Sequence, residues 1–337
     1  MQDTVAIRVD GNNQIGFGHL IRMQALAKQM EKLGARVIFM TRNPETIQYH
    51  STITIDDEID LYEEDRMVNS ALKKHNAAML IVDSYKYDKA RLNQIGQLPL
   101  TSVYIDDLNR HPFDVDYVIN GNLYAPSLNY QGRAQFLLGT EYLLLREEFA
   151  DIARRKVRSS VNDVLLTFGA ADPSDLTFKV LSILMNYDRF TALNWHVVLG
   201  PVFSNPAQVL ELGWERTNVH YHHNPDIKRM MDLCDICISA AGSTTYELAR
   251  CGVPSILVPA AENQLNVARE AHRLGIAYRF DLNEGMSDNK LFALLDSLIN
   301  DYASRQKMAA LGQEQIDGRG AMRVASILVS TLHKQML

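Results

Sequence analysis

Short apolar runs alternate along this chain with stretches whose apolar positions recur every three or four residues. Val5 to Val9, Val37 to Met40, Ala78 to Val82, Ser102 to Ile105 and Tyr117 to Asn120 read as strands. Leu20, Met23, Ala27 and Met30 have helical spacing, as do Leu61 to Lys74 and Lys89 to Gly96. Strands alternating with helices predict parallel sheets with crossover helices. The polar run from Arg146 to Asn162 interrupts the alternation, and a second cycle starts at Val164 to Thr167. It continues through the turn Gly169-Ala170-Ala171-Asp172-Pro173, a helix near Leu176 to Met185 and strands at Trp195 to Leu199 and Val219 to Tyr221. Then come a helix from Asp226 to Leu233, a strand from Ile236 to Ser239, a helix from Thr244 to Cys251 and a strand from Ser255 to Val258. The pattern predicts an α/β protein of two doubly wound, Rossmann-like domains, residues 1–150 and 160–320. Residues 321–337 are expected as a closing helix, Ala321 to Met336, that packs back across them. Two such domains facing each other form a central cleft at the carboxyl ends of both sheets, where ligands bind.

Composition narrows the class. A chain of 337 residues with 47% hydrophobic content is long for one core and agrees with two domains. The formal net charge is −6, and the densest basic run, Arg154-Arg155-Lys156 with Arg158, reads as a solvated face or linker, so no nucleic-acid partner is expected. Met1-Gln2-Asp3-Thr4 leads straight into a strand, and no apolar span is long enough to cross a membrane; a cytoplasmic monomer is expected. Cys234-Asp235-Ile236-Cys237 has C-x-x-C spacing but no second ligand pair, so its thiols read as core residues. His222 and His223, adjacent on an extended segment, point to opposite faces, and no metal or other cofactor is assigned.

The candidate chemistry begins at Ile15-Gly16-Phe17-Gly18-His19, where a Gly-rich loop after the first strand turns into a helix. Gly16 and Gly18 permit a tight backbone, and the helix start offers unpaired N–H groups and a positive dipole end. The same dipole disfavours the imidazolium, so His19 is expected as a neutral base beside a ligand site. This is not a dinucleotide fingerprint: Ile21 stands three after Gly18, and the second strand runs into Thr41-Arg42 with no acidic residue for a ribose. Asp83-Ser84-Tyr85 and Asp106-Asp107 follow later strands and should rim the same edge as His19, with Tyr85 and Asp106 as ligand contacts.

The second domain carries Ser239 to Glu247, then Gly252-Val253-Pro254, then Pro259 to Gln264. Ser243 and Thr244 open a helix whose N–H groups suit a diphosphate. Glu247, one turn on, is placed to accept from ribose hydroxyls, and Asn263 and Gln264 to meet a sugar. The competing reading is a capped helix, with Ser243 as N-cap and Glu247 solvated.

These motifs together resemble the nucleotide-sugar hydrolases of pseudaminic acid biosynthesis (PseG type) and their relatives in spore coat polysaccharide synthesis (SpsG type). The resemblance rests on Arg8-Val9-Asp10, Gly16 through Arg22, Val82 through Tyr85, Ile105-Asp106-Asp107, Leu145 through Phe149, Thr167 through Asp172, and Ser239 through Gln264. It implies a GT-B fold like that of the MurG glycosyltransferase, uridine diphosphate (UDP) on the second domain, and catalytic positions at His19, Tyr85 and Asn263. Arg8, Asp10, Gly16, Gly18, Arg22, Asp106, Gly169, Ser243, Thr244, Glu247 and Gln264 complete the candidate substrate-binding set. Gly11-Asn12 and Gly169-Ala170 depart from the family's usual Ala-Ser or Ser-Ser and Gly-Gly. The implied reaction is metal-free, inverting hydrolysis of UDP-2,4-diacetamido-2,4,6-trideoxy-β-L-altrose, or a related UDP-sugar, by water that His19 activates. The alternatives are a MurG-like UDP-sugar glycosyltransferase and a nucleotide-sugar-binding protein without catalysis.

Overall fold

The computed structural model describes residues 2–12, 16–47, 50–203, 205–213, 216–282 and 288–335, the side chains of residues 213, 334 and 335 excepted. Ile15 and Met336 thus lie outside the described residues. The chain divides into two compact units, Met1–Ala150 with Gly318–Leu337, and Asp151–Asp317.

Unit 1 runs β1 (Thr4–Val9), α1 (Gly18–Lys32), β2 (Arg36–Thr41), β3 (Ser51–Thr54), α2 (Leu61–Lys74), β4 (Ala77–Asp83), α3 (Lys89–Ile95), β5 (Thr101–Ile105), β6 (Tyr117–Asn120) and β7 (Gln135–Leu138). Among the described residues its strands form a parallel sheet in the order β3-β2-β1-β4-β5-β6-β7. Aspartates set the starts of two of its helices: Asp60 accepts from the Glu63 amide at 2.8 Å and Asp88 from the Arg91 amide at 2.9 Å.

Unit 2 runs β8 (Asp163–Thr167), α4 (Leu176–Met185), β9 (Asn194–Leu199), α5 (Pro206–Gly213), β10 (Val219–His223), α6 (Ile227–Leu233), β11 (Ile236–Ala240), α7 (Thr244–Cys251), β12 (Ser255–Val258), α8 (Glu262–Arg273), β13 (Tyr278–Arg279), α9 (Asp288–Asn300) and α10 (Tyr302–Gln315). Its parallel sheet has the order β10-β9-β8-β11-β12-β13 among the described residues. In both sheets the chain reverses its direction of travel between the first strand and a later neighbour, β1 beside β4 and β8 beside β11. Ligands of doubly wound sheets bind at the carboxyl side of such switch points.

After α10 the chain returns to unit 1 as α11 (Gly320–Gln335). Val324, Leu328, Val329 and Leu332 are buried against Leu20, Met23, Leu26 and Met30 of α1, roughly 1.5–3 kcal/mol each before ordering costs. The return requires glycine: Gly318 has φ +75°, and a Cβ there would sit 2.1 Å from the Phe149 carbonyl oxygen. The outer strands lie at sheet edges: Ser51, Thr52 and Thr54 of β3 are exposed and give it no apolar run, while β7 sets an exposed Gln135 before the short apolar run Phe136-Leu137-Leu138. The basic run is exposed except at Arg155, which is half-buried and donates to the carbonyls of Met231 at 2.9 Å and of Cys234, securing the boundary segment to unit 2.

Candidate functional site

Period-two alternation decides which side chains meet at the carboxyl edge of the first sheet. Val9, Ile81 and Ile105 point into the core shared with α1. Asp83, two residues after Ile81, and Asp107, two after Ile105, share that side. His19 and Arg22, one turn apart on α1, meet them there. The His19 Nδ1 lies 2.6 Å from Asp83 Oδ1. Arg22 donates from Nε to Asp83 Oδ2 at 2.7 Å and from one terminal nitrogen to Asp83 Oδ1 at 2.6 Å. Its two terminal nitrogens reach the Asp107 oxygens at 3.0 Å each. Tyr85 donates its hydroxyl to Asp107 at 2.8 Å and stands edge-on to the His19 ring at 5.0 Å between centroids. Asn122, just after β6, donates to Asp107 at 2.9 Å.

The electrostatics of this group follow from burial set against opposite charge. Burial resists ionisation of Asp83 and Asp107, but Arg22 outweighs it, and both carboxyls are held below their ordinary range. Burial likewise opposes the charge on Arg22, and the two carboxylates reverse that, raising its pKa. With Asp83 ionised, the hydrogen in the 2.6 Å contact belongs to His19 Nδ1, so that in the neutral ring the lone pair lies on Nε2. The arrangement presents an oriented imidazole in a buried residue at the second position of α1.

The opposite parity serves the scaffold. Ala6, Val82 and Tyr104 face the core under α2 and α3, and Arg8, Asp10 and Asp106 follow them to that side. Arg8 is fully buried, donating to Asp10 at 2.5 and 2.6 Å and to Glu64 of α2 at 3.0 Å. Arg42 adds a 2.5 Å bond to Glu64, whose carboxyl burial would raise; its bond with Arg8 leads the effects that lower it to about 2. Asp106 accepts from the amides of Leu108 and Asn109 and from the Tyr130 hydroxyl, and burial raises its carboxyl. Arg8, Asp10 and Asp106 were expected to touch substrate; the structure places them in these networks, and Asp107, not Asp106, joins His19. Asp83 and Asp107 were expected at this edge but not among the ligand contacts, and Asn122 was not singled out. The parity of Asp83 with Ile81 and of Asp107 with Ile105 is the signal that identifies those two; Asn122 follows the polar Asn120 and carries no such signal.

Gly16 has φ +80° and its amide bonds the Asn12 carbonyl at 2.8 Å, while the helix start at Phe17 and Gly18 has no side-chain cap. A Cβ at Gly11 would lie 2.5 Å from Leu20 Cδ1, so a side chain there would have to displace Leu20.

In unit 2 the loops after β8 and β11 flank the switch point. Gly169 takes φ +87°, whereas Ala170 is not among the positive-φ residues and tolerates its Cβ. Asp172 caps α4 through the amides of Leu176 and Thr177 at 2.9 and 2.7 Å. Ser243 is exposed and precedes α7 without a side-chain cap bond, and Glu247 is buried at 6% exposure, so neither half of the capped, solvated alternative describes this helix. Thr244 is half-buried beside it. Asn263 and Gln264 occupy the first turn of α8, and Gln264 accepts from the Ala260 amide at 2.9 Å. The Gln264 amide nitrogen would lie 3.7 Å from a Cβ at Gly242, so the loops after β11 and β12 are neighbours. The three cysteines are buried and unpaired by disulfides, burial pushing the Cys234 and Cys251 thiols up to about 12. Among the described residues no cluster of three or more His, Cys, Asp or Glu is placed to hold a metal ion. No described helix is long and apolar enough to cross a membrane.

Two Rossmann-like halves, each with a parallel sheet, define the GT-B class. The solved structure of MurG from Acinetobacter baumannii shares this fold with a TM-score of 0.69 at 14% identity, covering 97% of this chain and 99% of that one. The model of the glycosyltransferase family 28 C-terminal domain matches residues 192–319. Homologues of the chain include the spore coat polysaccharide biosynthesis protein SpsG of Bacillus subtilis, 24% identical over 96% of this chain and 97% of that protein. They also include the UDP-2,4-diacetamido-2,4,6-trideoxy-beta-L-altropyranose hydrolase of Campylobacter jejuni, 27% identical over 53% of this chain and 65% of that protein.

Proposed function

We propose that this protein hydrolyses a UDP-linked diacetamido-trideoxy sugar, UDP-2,4-diacetamido-2,4,6-trideoxy-β-L-altrose or a close relative, to UDP and the free sugar. The product would feed nonulosonic acid or surface polysaccharide synthesis. The observation that carries the reading is the Asp83–His19 pair, an oriented imidazole with its Nε2 lone pair available for a proton. In this mechanism Nε2 takes a proton from water as the water oxygen bonds to the anomeric carbon. The bond from that carbon to the diphosphate oxygen breaks, and its electron pair leaves with UDP. Single displacement inverts the anomeric centre. Backbone N–H groups at the start of α7, by Ser243 and Thr244, meet the diphosphate charge, and Glu247 accepts from the ribose hydroxyls. Tyr85 and Asn263 complete the catalytic set, at positions that match the family pattern. The names of the hydrolase and spore coat relatives support the substrate class.

A second reading, transfer of the sugar to an acceptor hydroxyl, is favoured by the family 28 domain match. The two differ in whether water or an acceptor attacks. Incubating the protein with the UDP-sugar and no acceptor, and following free UDP, separates them. Release of UDP in stoichiometry with free sugar, lowered about 10²- to 10⁴-fold in His19→Asn, is the expected result. No release without an acceptor would refute hydrolysis, and equal turnover in His19→Asn would refute the base.

A further inference from the structure

We infer that Arg22 is a positioning residue for His19 and Tyr85 and does not bind the substrate; this rests on the hydrolase reading only for its kinetic half. A guanidinium has five N–H donors in a rigid fork. Four of those in Arg22 are committed to protein carboxylates: Nε–H and one terminal N–H to Asp83, and two further terminal N–H groups to Asp107, at 2.6 to 3.0 Å. A two-pronged grip on a phosphate or carboxylate of a ligand needs a pair of parallel donors, and the fork has no such pair left. A diphosphate clamp is therefore not its role.

What the fork does is tie two separate strands' ends to one cation. Asp83, at the end of β4, orients the His19 ring; Asp107, after β5, receives the Tyr85 hydroxyl. Arg22 bridges the two carboxylates, so the ring and the phenol hold a fixed edge-on geometry at 5.0 Å. A terminal nitrogen of Arg22 also lies 3.0 Å from His19 Nδ1. Two buried carboxylates without this cation would repel one another, and Asp83 would seek its charge balance from the imidazole instead. Arg22 thereby keeps Asp83 an acceptor for Nδ1–H and keeps the lone pair on Nε2.

Lysine at this position retains the charge but cannot fork between two carboxylates. In Arg22→Lys, and in Arg22→Gln as a second variant, kcat for UDP release should fall about 10- to 100-fold, the scale of a small misplacement of a catalytic group, with KM within threefold. In parallel, two-bond ¹H–¹⁵N correlation spectra of histidine-labelled protein report the His19 tautomer without any turnover. The wild type should show the Nδ1–H form, and the lysine variant a reduced share of it while its other histidine signals stay in place. An unchanged His19 signature in a folded variant, or a KM raised tenfold with kcat intact, would overturn the inference. Should the wild type release no UDP, the hydrolase reading fails alone, and the tautomer measurement still decides the role of Arg22.

Discussion

Asp83→Asn is the substitution that tests the candidate base most directly, because it is nearly isosteric and changes only the charge and the hydrogen-bond direction of the group facing His19 and Arg22. Asp83 Oδ1 faces His19 Nδ1 and an Arg22 terminal nitrogen, both at 2.6 Å, and Oδ2 faces Arg22 Nε at 2.7 Å. All three neighbours are donors to a carboxylate. An amide offers one acceptor and one NH2, so one side must fail. With the NH2 toward His19, it donates to Nδ1, selects the Nε2–H tautomer and removes the lone pair that receives the water proton. With the NH2 toward Arg22 Nε, two donors meet at a distance set for a bond, and a charge-assisted hydrogen bond of ~1.5–3 kcal/mol is lost. The first arrangement removes general-base catalysis, a factor of about 10² to 10⁴ or ~2.7–5.5 kcal/mol of barrier. The expected outcome is a kcat for UDP release lowered by that factor, with KM within threefold and a cooperative thermal transition retained. A folded Asp83→Asn protein turning over within threefold of the wild type would refute the role given to the pair.

Glu247→Ala should weaken UDP binding by ~1.5–3 kcal/mol, the range for hydrogen bonds to charged groups; calorimetry showing equal affinity would make Glu247 a buried structural residue. Activity should survive excess EDTA, since Asp106 and Asp107 already serve donors of the protein, Tyr130 and two amides for the first, and Arg22, Asn122 and Tyr85 for the second. Loss of turnover on chelation, restored by magnesium or manganese, would defeat the metal-free mechanism. The Glu64 carboxyl is lowered from 4.5 to about 2, so the stability it contributes is complete above the ordinary carboxylate range and is lost as pH falls from 4.5 toward 2; the lowered Asp83 carboxyl acts in the same direction. Glu64→Gln, which leaves Arg8 short of a buried partner, should cost ~3–5 kcal/mol in urea denaturation at neutral pH and flatten the acid loss; a change under 1 kcal/mol would contradict the network's weight.

Much of the architecture was legible before folding. The boundaries of α2 and α7 match their helical periodicity residue for residue, and the central strands of both sheets match their apolar runs. Each of these elements buries at least one face, and that burial is what imprints a period on a sequence. The edge strand β3, exposed at Ser51, Thr52 and Thr54, left no such imprint, and the apolar Phe136-Leu137-Leu138 of β7 is too short to show a period. The element α11 was expected as a closing helix, and the structure seats it in the core of unit 1, against α1.

The sequence by itself determined that this chain builds two parallel α/β layers and that a histidine opens the first crossover helix, because local periodicity, glycines and caps act over a few residues. It also set the candidates at the strand ends. Only the tertiary structure decided which of them act together. Asp83 is 64 positions from His19 and Asp107 is 85 from Arg22, and no local rule pairs residues at that distance. The pairing comes from strand order, which sets β4 beside β1 and β5 beside β4, and from the two-residue pleat, which turns Asp83 and Asp107 toward α1 and Arg8 and Asp106 away from it.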